Sequence, residues 1–175
     1  MGSHEQCPLC GSKSFSEMRA TYKSCGLVKC KECRFVFMRQ VPTASELDAH
    51  YFTYSYASNG YLSPLTVASY NRLLDGFEKF RRHNRILDVG AGRGWFLDAA
   101  RSRGWNVYAT EYSAVAVEKM NARGIDAKLG ALQDCQLESG FFDVVTSFEV
   151  LEHVTDLHRE LSEVRRVLRE NGLFY

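Results

Sequence analysis

Two groups of residues in this chain have the types and spacing to do chemistry. The first is Asp88-Val89-Gly90-Ala91-Gly92-Arg93-Gly94, an acid followed by glycine at every second position. A short apolar run (Ile86, Leu87) leads into it, and a helical pattern through Trp95, Phe96, Leu97, Ala99 and Ala100 leaves it, closing at Gly104. Strand, glycine turn and helix in that order let a ligand approach the backbone where no side chain stands in the way. Glu111 follows Asp88 by 23 residues, at the end of a second strand pattern over 105–110. A carboxylate at that tip accepts hydrogen bonds from both hydroxyls of a ribose. The second group is Cys7-Pro-Leu-Cys10 and Cys30-Lys-Glu-Cys33, two Cys-x-x-Cys pairs separated by 19 residues. That spacing suits four thiolates around one tetrahedral zinc ion.

These groups need elements to position them. Cys10-Gly11 and Cys25-Gly26 offer turns, and Val28-Lys29 and Phe35-Val36-Phe37 read as short strands, so the first 40 residues suggest a zinc ribbon. With four protein ligands the metal site is closed and structural. Disulfides are disfavoured in a reducing compartment, and a redox Cys-x-x-Cys needs no twin. Cys25 is an alternative ligand to Cys30, and Cys135 reads as a packing residue. Thr43 and Glu46 stand at capping-box spacing for a short helix reaching about Tyr51. Tyr51, Phe52, Tyr54, Tyr56 and Tyr61 then form an aromatic stretch that either packs the ribbon onto the larger part or serves as a lid. Ser63-Pro64 opens a helix with apolar positions up to Phe80. Residues 41–84 thus read as a helical and aromatic connector. Ser113 caps a further helix, 125–129 is a third strand, and 142–148 a fourth, of buried type. Thr155 caps a last helix with Leu157, Leu161, Val164 and Leu168 on one stripe, ended by Asn171-Gly172, and 173–175 begin a fifth strand.

The acid-x-Gly-x-Gly-x-Gly spacing departs from a dinucleotide fingerprint, whose third glycine would fall at Trp95. It resembles motif I of the class I S-adenosylmethionine (SAM)-dependent methyltransferases. Phe142-Asp143-Val144-Val145, with Glu149-Val150-Leu151-Glu152-His153-Val154, resembles the segment around the fourth strand of many of them. The resemblance covers 85–175, with three motifs in order. It implies an α/β, Rossmann-like parallel sheet of order 3-2-1-4-5, with SAM across the carboxyl ends of strands one, two and four. Asp88, Gly90, Gly92, Gly94, Glu111 and Glu149 would bind the cofactor, and Leu132, in the loop after strand three, would border the adenine. Asp88 either holds the glycine loop or attracts the methionine amino group. His153 is the candidate acid/base. In the ubiquinone-pathway O-methyltransferases that this stretch resembles, the positions of Glu149, Glu152 and His153 are associated with a divalent cation. In many other members they bind none, and the histidine caps a helix or packs in the cleft.

At 45% apolar and 25% charged residues the composition is that of a globular protein, and a net charge of +1 gives no bulk electrostatic case for nucleic acid or membrane binding. No apolar run approaches the ~20 residues of a spanning helix. The expected compartment is the cytoplasm. The expected activity is methyl transfer to a small-molecule acceptor, sugar-like or another metabolite. The alternatives are a SAM-binding fragment without turnover and a zinc-ribbon interaction module. The sequence stops where strand five begins, short of the strands that usually wall an acceptor pocket. This predicts weak or absent turnover and an exposed sheet edge open to self-association.

Overall fold

The structure, a computed structural model, describes residues 2–18, 26–43, 45–46 and 60–175. Cys25, the aromatic run from Tyr51 to Tyr56 and the part of the expected helix beyond Glu46 lie outside the described residues. The chain divides into two compact units, Met1–Thr53 with Thr155–His158, and Tyr54–Val154 with Arg159–Tyr175.

In the first unit, Gly2–Ser3 (β1) pairs antiparallel with Gln40–Val41 (β5). Phe15–Glu17 (β2), Leu27–Cys30 (β3) and Val36–Met38 (β4) form a three-stranded antiparallel sheet. Side chains alternate across it, so Val28, Cys30 and Phe37 turn to one face and join Cys7 in a small core, with Phe15 and Phe35 against it. The expected capping box is present: the Thr43 N–H donates to Glu46 Oε2 at 2.8 Å and the Glu46 N–H to Thr43 Oγ1 at 3.3 Å.

The second unit opens with Pro64–Phe77 (α1), where Ser63 Oγ accepts from the Thr66 N–H at 3.1 Å and Pro64 takes the first turn. The regular helix stops at Phe77, and Glu78–Phe80 is a single 3-10 turn. Arg85–Val89 (β6), Trp95–Ser102 (α2), Asn106–Glu111 (β7), Ala114–Ala122 (α3), Asp126–Leu129 (β8), Phe142–Thr146 (β9), Leu157–Val167 (α4) and Leu168–Phe174 (β10) follow. The five strands are all parallel, in the order β10-β9-β6-β7-β8. Numbered from the first strand of this sheet, that is the expected 3-2-1-4-5.

Both faces of the sheet are covered, which is what near-continuous apolar strands require. Ile86, Val107, Ala109 and Val144 face one layer with Phe96, Leu97 and Ala100 of α2 and Val117 and Met120 of α3. Leu74 and Phe77 of α1 belong to the same core, so the helix that reads from sequence as part of a connector is built into this unit. Leu87, Val89 and Val145 face the other layer with Leu132 and with Val164 and Val167 of α4.

Two features of α4 differ from the sequence reading. Its buried side chains are Glu160, Val164 and Val167, a stripe rotated away from Leu157 and Leu161, which are only half-buried. The helix also ends at Val167, not at Asn171-Gly172, because Leu168 already pairs with Phe142 at the start of β9. Pairing is then interrupted, Asn171 taking φ +59°, and resumes at Leu173 and Phe174. The fifth strand is accordingly seven residues long.

The amino end of the sheet is tied together by Asp143, which is fully buried. Its Oδ2 accepts the backbone N–H groups of Arg82 (3.1 Å), His83 (2.6 Å) and Arg85 (3.2 Å), and its Oδ1 accepts Arg169 Nε at 2.6 Å. Burial alone would raise this acid, but the Arg169 guanidinium and the three N–H groups outweigh it and hold it below its ordinary 3.8. Asp143→Ala strands a nearly buried guanidinium and three donors, and is expected to cost about 3–5 kcal/mol in urea denaturation. Because the folded value is depressed, the stabilisation is present above about pH 4 and lost as pH falls through the folded value. The gap between wild type and Asp143→Ala should therefore close on acidification.

Candidate functional site

The carboxyl ends of β6, β7 and β9 bring the glycine loop, Glu111 and the segment after Thr146 to one end of the sheet. The loop leaves β6 with the N–H groups of Gly90 and Ala91 both donating to Thr110 O, at 2.9 and 3.1 Å. It is then clamped by Glu111, whose Oε2 accepts the Gly92 N–H at 2.8 Å and whose Oε1 accepts the Ser113 N–H at 3.0 Å. Glu111 is buried. A carboxylate has about four acceptor sites, so two remain for ligand hydroxyls. Gly90 and Gly94, at φ +66° and +71°, are demanded as much by the protein as by any ligand. A Cβ on Gly90 would come 2.6 Å from Val150 Cγ2, and one on Gly94 2.8 Å from Met120.

Asp88 lies beneath the loop, buried, with Thr146 Oγ1 donating to its Oδ1 at 2.7 Å. Burial pushes its carboxyl up to about 7; the Thr146 hydrogen bond opposes this and the nearby Glu111 charge adds to it. Such an acid sits at the balance point between charged and neutral at physiological pH, so a bound cation would tip it to the carboxylate.

The other expected site residues are placed differently from one another. Glu149 is exposed and held at φ +54°, a backbone strain for a non-glycine residue at the point where the chain leaves β9. Glu152 and His153 are exposed on the single turn Leu151–His153. Among the described residues, only the cysteines bring three or more metal-ligating side chains together. The Leu132 side chain is fully buried in the second core layer beside Leu87 and Val89, so any contact with a ligand would fall to its backbone. Tyr70 of α1, which has no motif around it, also reaches this end. Its ring is 5.4 Å from Phe96 and 6.5 Å from Phe148, centroid to centroid. Its spacing in α1 marks it only as a core-facing position.

In the first unit, Cys7 and Cys33 Sγ lie 3.6 Å apart, as do Cys10 and Cys30 Sγ, and all four sulfurs fall within 4.8 Å of one another. Four sulfurs about 2.3 Å from one zinc ion would sit about 3.8 Å apart, so the cage has the size the ion requires. Each knuckle closes on a backbone bond, Gly11 N–H to Cys7 O at 2.9 Å and Cys30 N–H to Phe35 O at 2.9 Å. The second knuckle turns on Arg34 at φ +69°, the counterpart of Gly11 at +73°, and not on Gly26. Two of the thiols are displaced in opposite directions. Burial opposes ionisation of Cys30, but the N–H groups of Cys33 and Glu32 bring it down to about 6. Cys33 goes to about 12: the Phe35 N–H favours its thiolate, and burial with the Cys10 and Cys7 sulfurs outweighs it. Full ionisation of the four needs a cation among them.

A family model described as "Methyltransferase domain" matches residues 61–175. A probable S-adenosylmethionine-dependent methyltransferase of Mycolicibacterium smegmatis is 33% identical over 91 residues, covering 51% of this chain and 35% of that protein. A ubiquinone biosynthesis O-methyltransferase of Glaesserella parasuis is 29% identical over 126 residues, covering 65% of this chain and 51% of that protein. These matches span a third to a half of the relatives' own length. Among solved structures, a Pyrococcus horikoshii protein superposes with a TM-score of 0.59 at 23% identity, over 71% of this chain and 63% of its own. A Haemonchus contortus phosphoethanolamine N-methyltransferase, solved with S-adenosylhomocysteine, superposes with a TM-score of 0.56 at 25% identity, over 67% of this chain and 29% of its own. With the sheet order and the three motifs already in place, these matches identify the chain as a member of the class I S-adenosylmethionine-dependent methyltransferase family.

Proposed function

We propose that the chain binds SAM at the carboxyl ends of β6, β7 and β9 and transfers its methyl group to a small-molecule acceptor, sugar-like or another metabolite. The observation that carries the reading is Glu111, a buried carboxylate that holds the glycine loop through Gly92 and keeps acceptor capacity for a ribose. Asp88, Gly90, Gly92, Gly94 and Glu149 line the same end, with the Leu132 segment on the adenine side. SAM supplies a methyl group already activated on a positively charged sulfur. The protein's tasks are to align the acceptor and, for a hydroxyl acceptor, to take its proton. His153, on the turn after β9, is the candidate for that proton. The small-molecule class is supported by relatives named for ubiquinone biosynthesis and phosphoethanolamine methylation.

Glu111→Gln replaces one acceptor oxygen by an amide that faces a backbone donor. Each charge-assisted bond lost is worth about 1.5–3 kcal/mol, so SAM affinity by calorimetry should fall roughly tenfold or more. NADH binding more tightly than SAM to the wild-type chain would overturn the cofactor reading.

We further propose that Cys7, Cys10, Cys30 and Cys33 hold one structural zinc ion, in a module of about residues 1–40. In small zinc modules the binding energy is folding energy, on the order of 10–16 kcal/mol. A strong chelator should therefore unfold this unit while the β6–β10 sheet retains its circular dichroism and its SAM affinity. Elemental analysis should give one zinc per chain, and its absence from protein prepared without chelator would end the assignment.

A further inference from the structure

Elements that follow the glycine loop in the chain hold it in place. Glu111 of β7 accepts the Gly92 N–H, Val150 beyond β9 closes on Gly90, and Arg123 at the end of α3 donates to Arg93 O. A further hold comes from ahead of the loop. Gly60 stands three residues before Ser63, the cap of α1, and packs against the side chains of Arg93 and Trp95, the two neighbours of Gly94. A Cβ at position 60 would come 2.7 Å from Trp95 Cη2, 3.0 Å from Trp95 Cζ2 and 3.0 Å from Arg93 Nε. Gly90, Gly92 and Gly94 take positive φ, and Gly60 does not. Its glycine is therefore demanded by space and not by a turn. Trp95 opens α2, and the Arg93 guanidinium lies 5.5 Å from its ring centroid. An indole so placed is rigid, and a methyl group against it would be relieved by lifting the chain at position 60 or by shifting the loop.

We propose that Gly60 is a positioning residue for the cofactor: the chain entering α1 lies as a strap across Arg93 and Trp95 and keeps the glycine loop in the form that receives SAM. This rests on the reading of the crevice as a SAM site and brings in a segment outside the motifs. Gly60 acts through Arg93 and Trp95, not by contact with the cofactor. The loop is gripped at Gly92 by the Glu111 hydrogen bond and at the next residue by packing against Gly60. Coupling of this kind is reciprocal: whatever loosens the strap weakens SAM, and bound SAM tightens the strap.

The test is SAM calorimetry on wild type, Gly60→Ala, Trp95→Phe and the double variant, with thermal melts to check that each fold is kept. Gly60→Ala should weaken SAM roughly tenfold, the scale of one methyl group too many in a packed contact. Trp95→Phe retracts the ring edge that carries Cη2 and Cζ2, so the double variant should bind SAM as Trp95→Phe alone does. A merely structural defect at position 60 would show no such rescue. Gly60→Ala binding SAM like wild type, or a double variant as weak as Gly60→Ala, overturns the strap while the cofactor site stands. Hydrogen exchange on the wild-type chain needs no substitution: SAM should slow exchange at residues 60–63, and unchanged exchange there also overturns the strap. Wild type that does not bind SAM overturns the cofactor reading itself, and this inference with it.

Discussion

A parallel sheet buried on both faces has only its two ends in which to place polar chemistry, and in this protein each end is organised by a buried carboxylate. At the amino end, Asp143 gathers three backbone N–H groups and the Arg169 guanidinium. It thereby fixes the entry to β6 against β9 and β10. Nothing is left over for a ligand, and the arrangement is a fastening. At the carboxyl end, Glu111 accepts two N–H groups and Asp88 one hydroxyl, so both keep capacity. The difference between a fastening and a site is here a difference in how many acceptor positions are filled.

The glycine loop shows the same economy. Gly90 is required where Val150 of the segment after β9 closes on the backbone, and Gly94 where Met120 of α3 does. The Gly92 N–H is already committed to Glu111. Motif I thus does two things at once: it lets the backbone come close to a ligand, and it locks β6, β7, β9 and α3 into one end of the sheet. The packing reading of the glycines and the binding reading describe the same atoms.

The cysteine unit reaches order by a different route. Among the described residues its core is a few side chains, Cys7, Val28, Cys30 and Phe37 with two flanking phenylalanines. A core of that size cannot by itself offset the chain entropy of ordering the described residues around it. The proposed zinc ion, held by four sulfurs at the spacing it requires, would supply what the apolar contacts lack.

Much of this was legible in the sequence, because it depends on local rules. Helix starts at Ser63 and Ser113, strand tips at Val89 and Glu111 and the twin knuckles follow from periodicity, capping and the spacing of glycine, acid and cysteine, while the sheet order was implied by the family resemblance of the motifs. Position along the chain could not say which contacts those residues make. Asp143 reads as one letter of a signature and turns out to hold the amino end of the sheet. Leu132 reads as a ligand neighbour and packs as core. Glu160 lies on the buried stripe of α4, where the apolar pattern had placed Leu157 and Leu161. Tyr70 is an ordinary helical aromatic until α1 folds onto the layer above β6. Each of these was decided by residues some tens of positions away, which sequence spacing does not encode and which only closure of the core brings together.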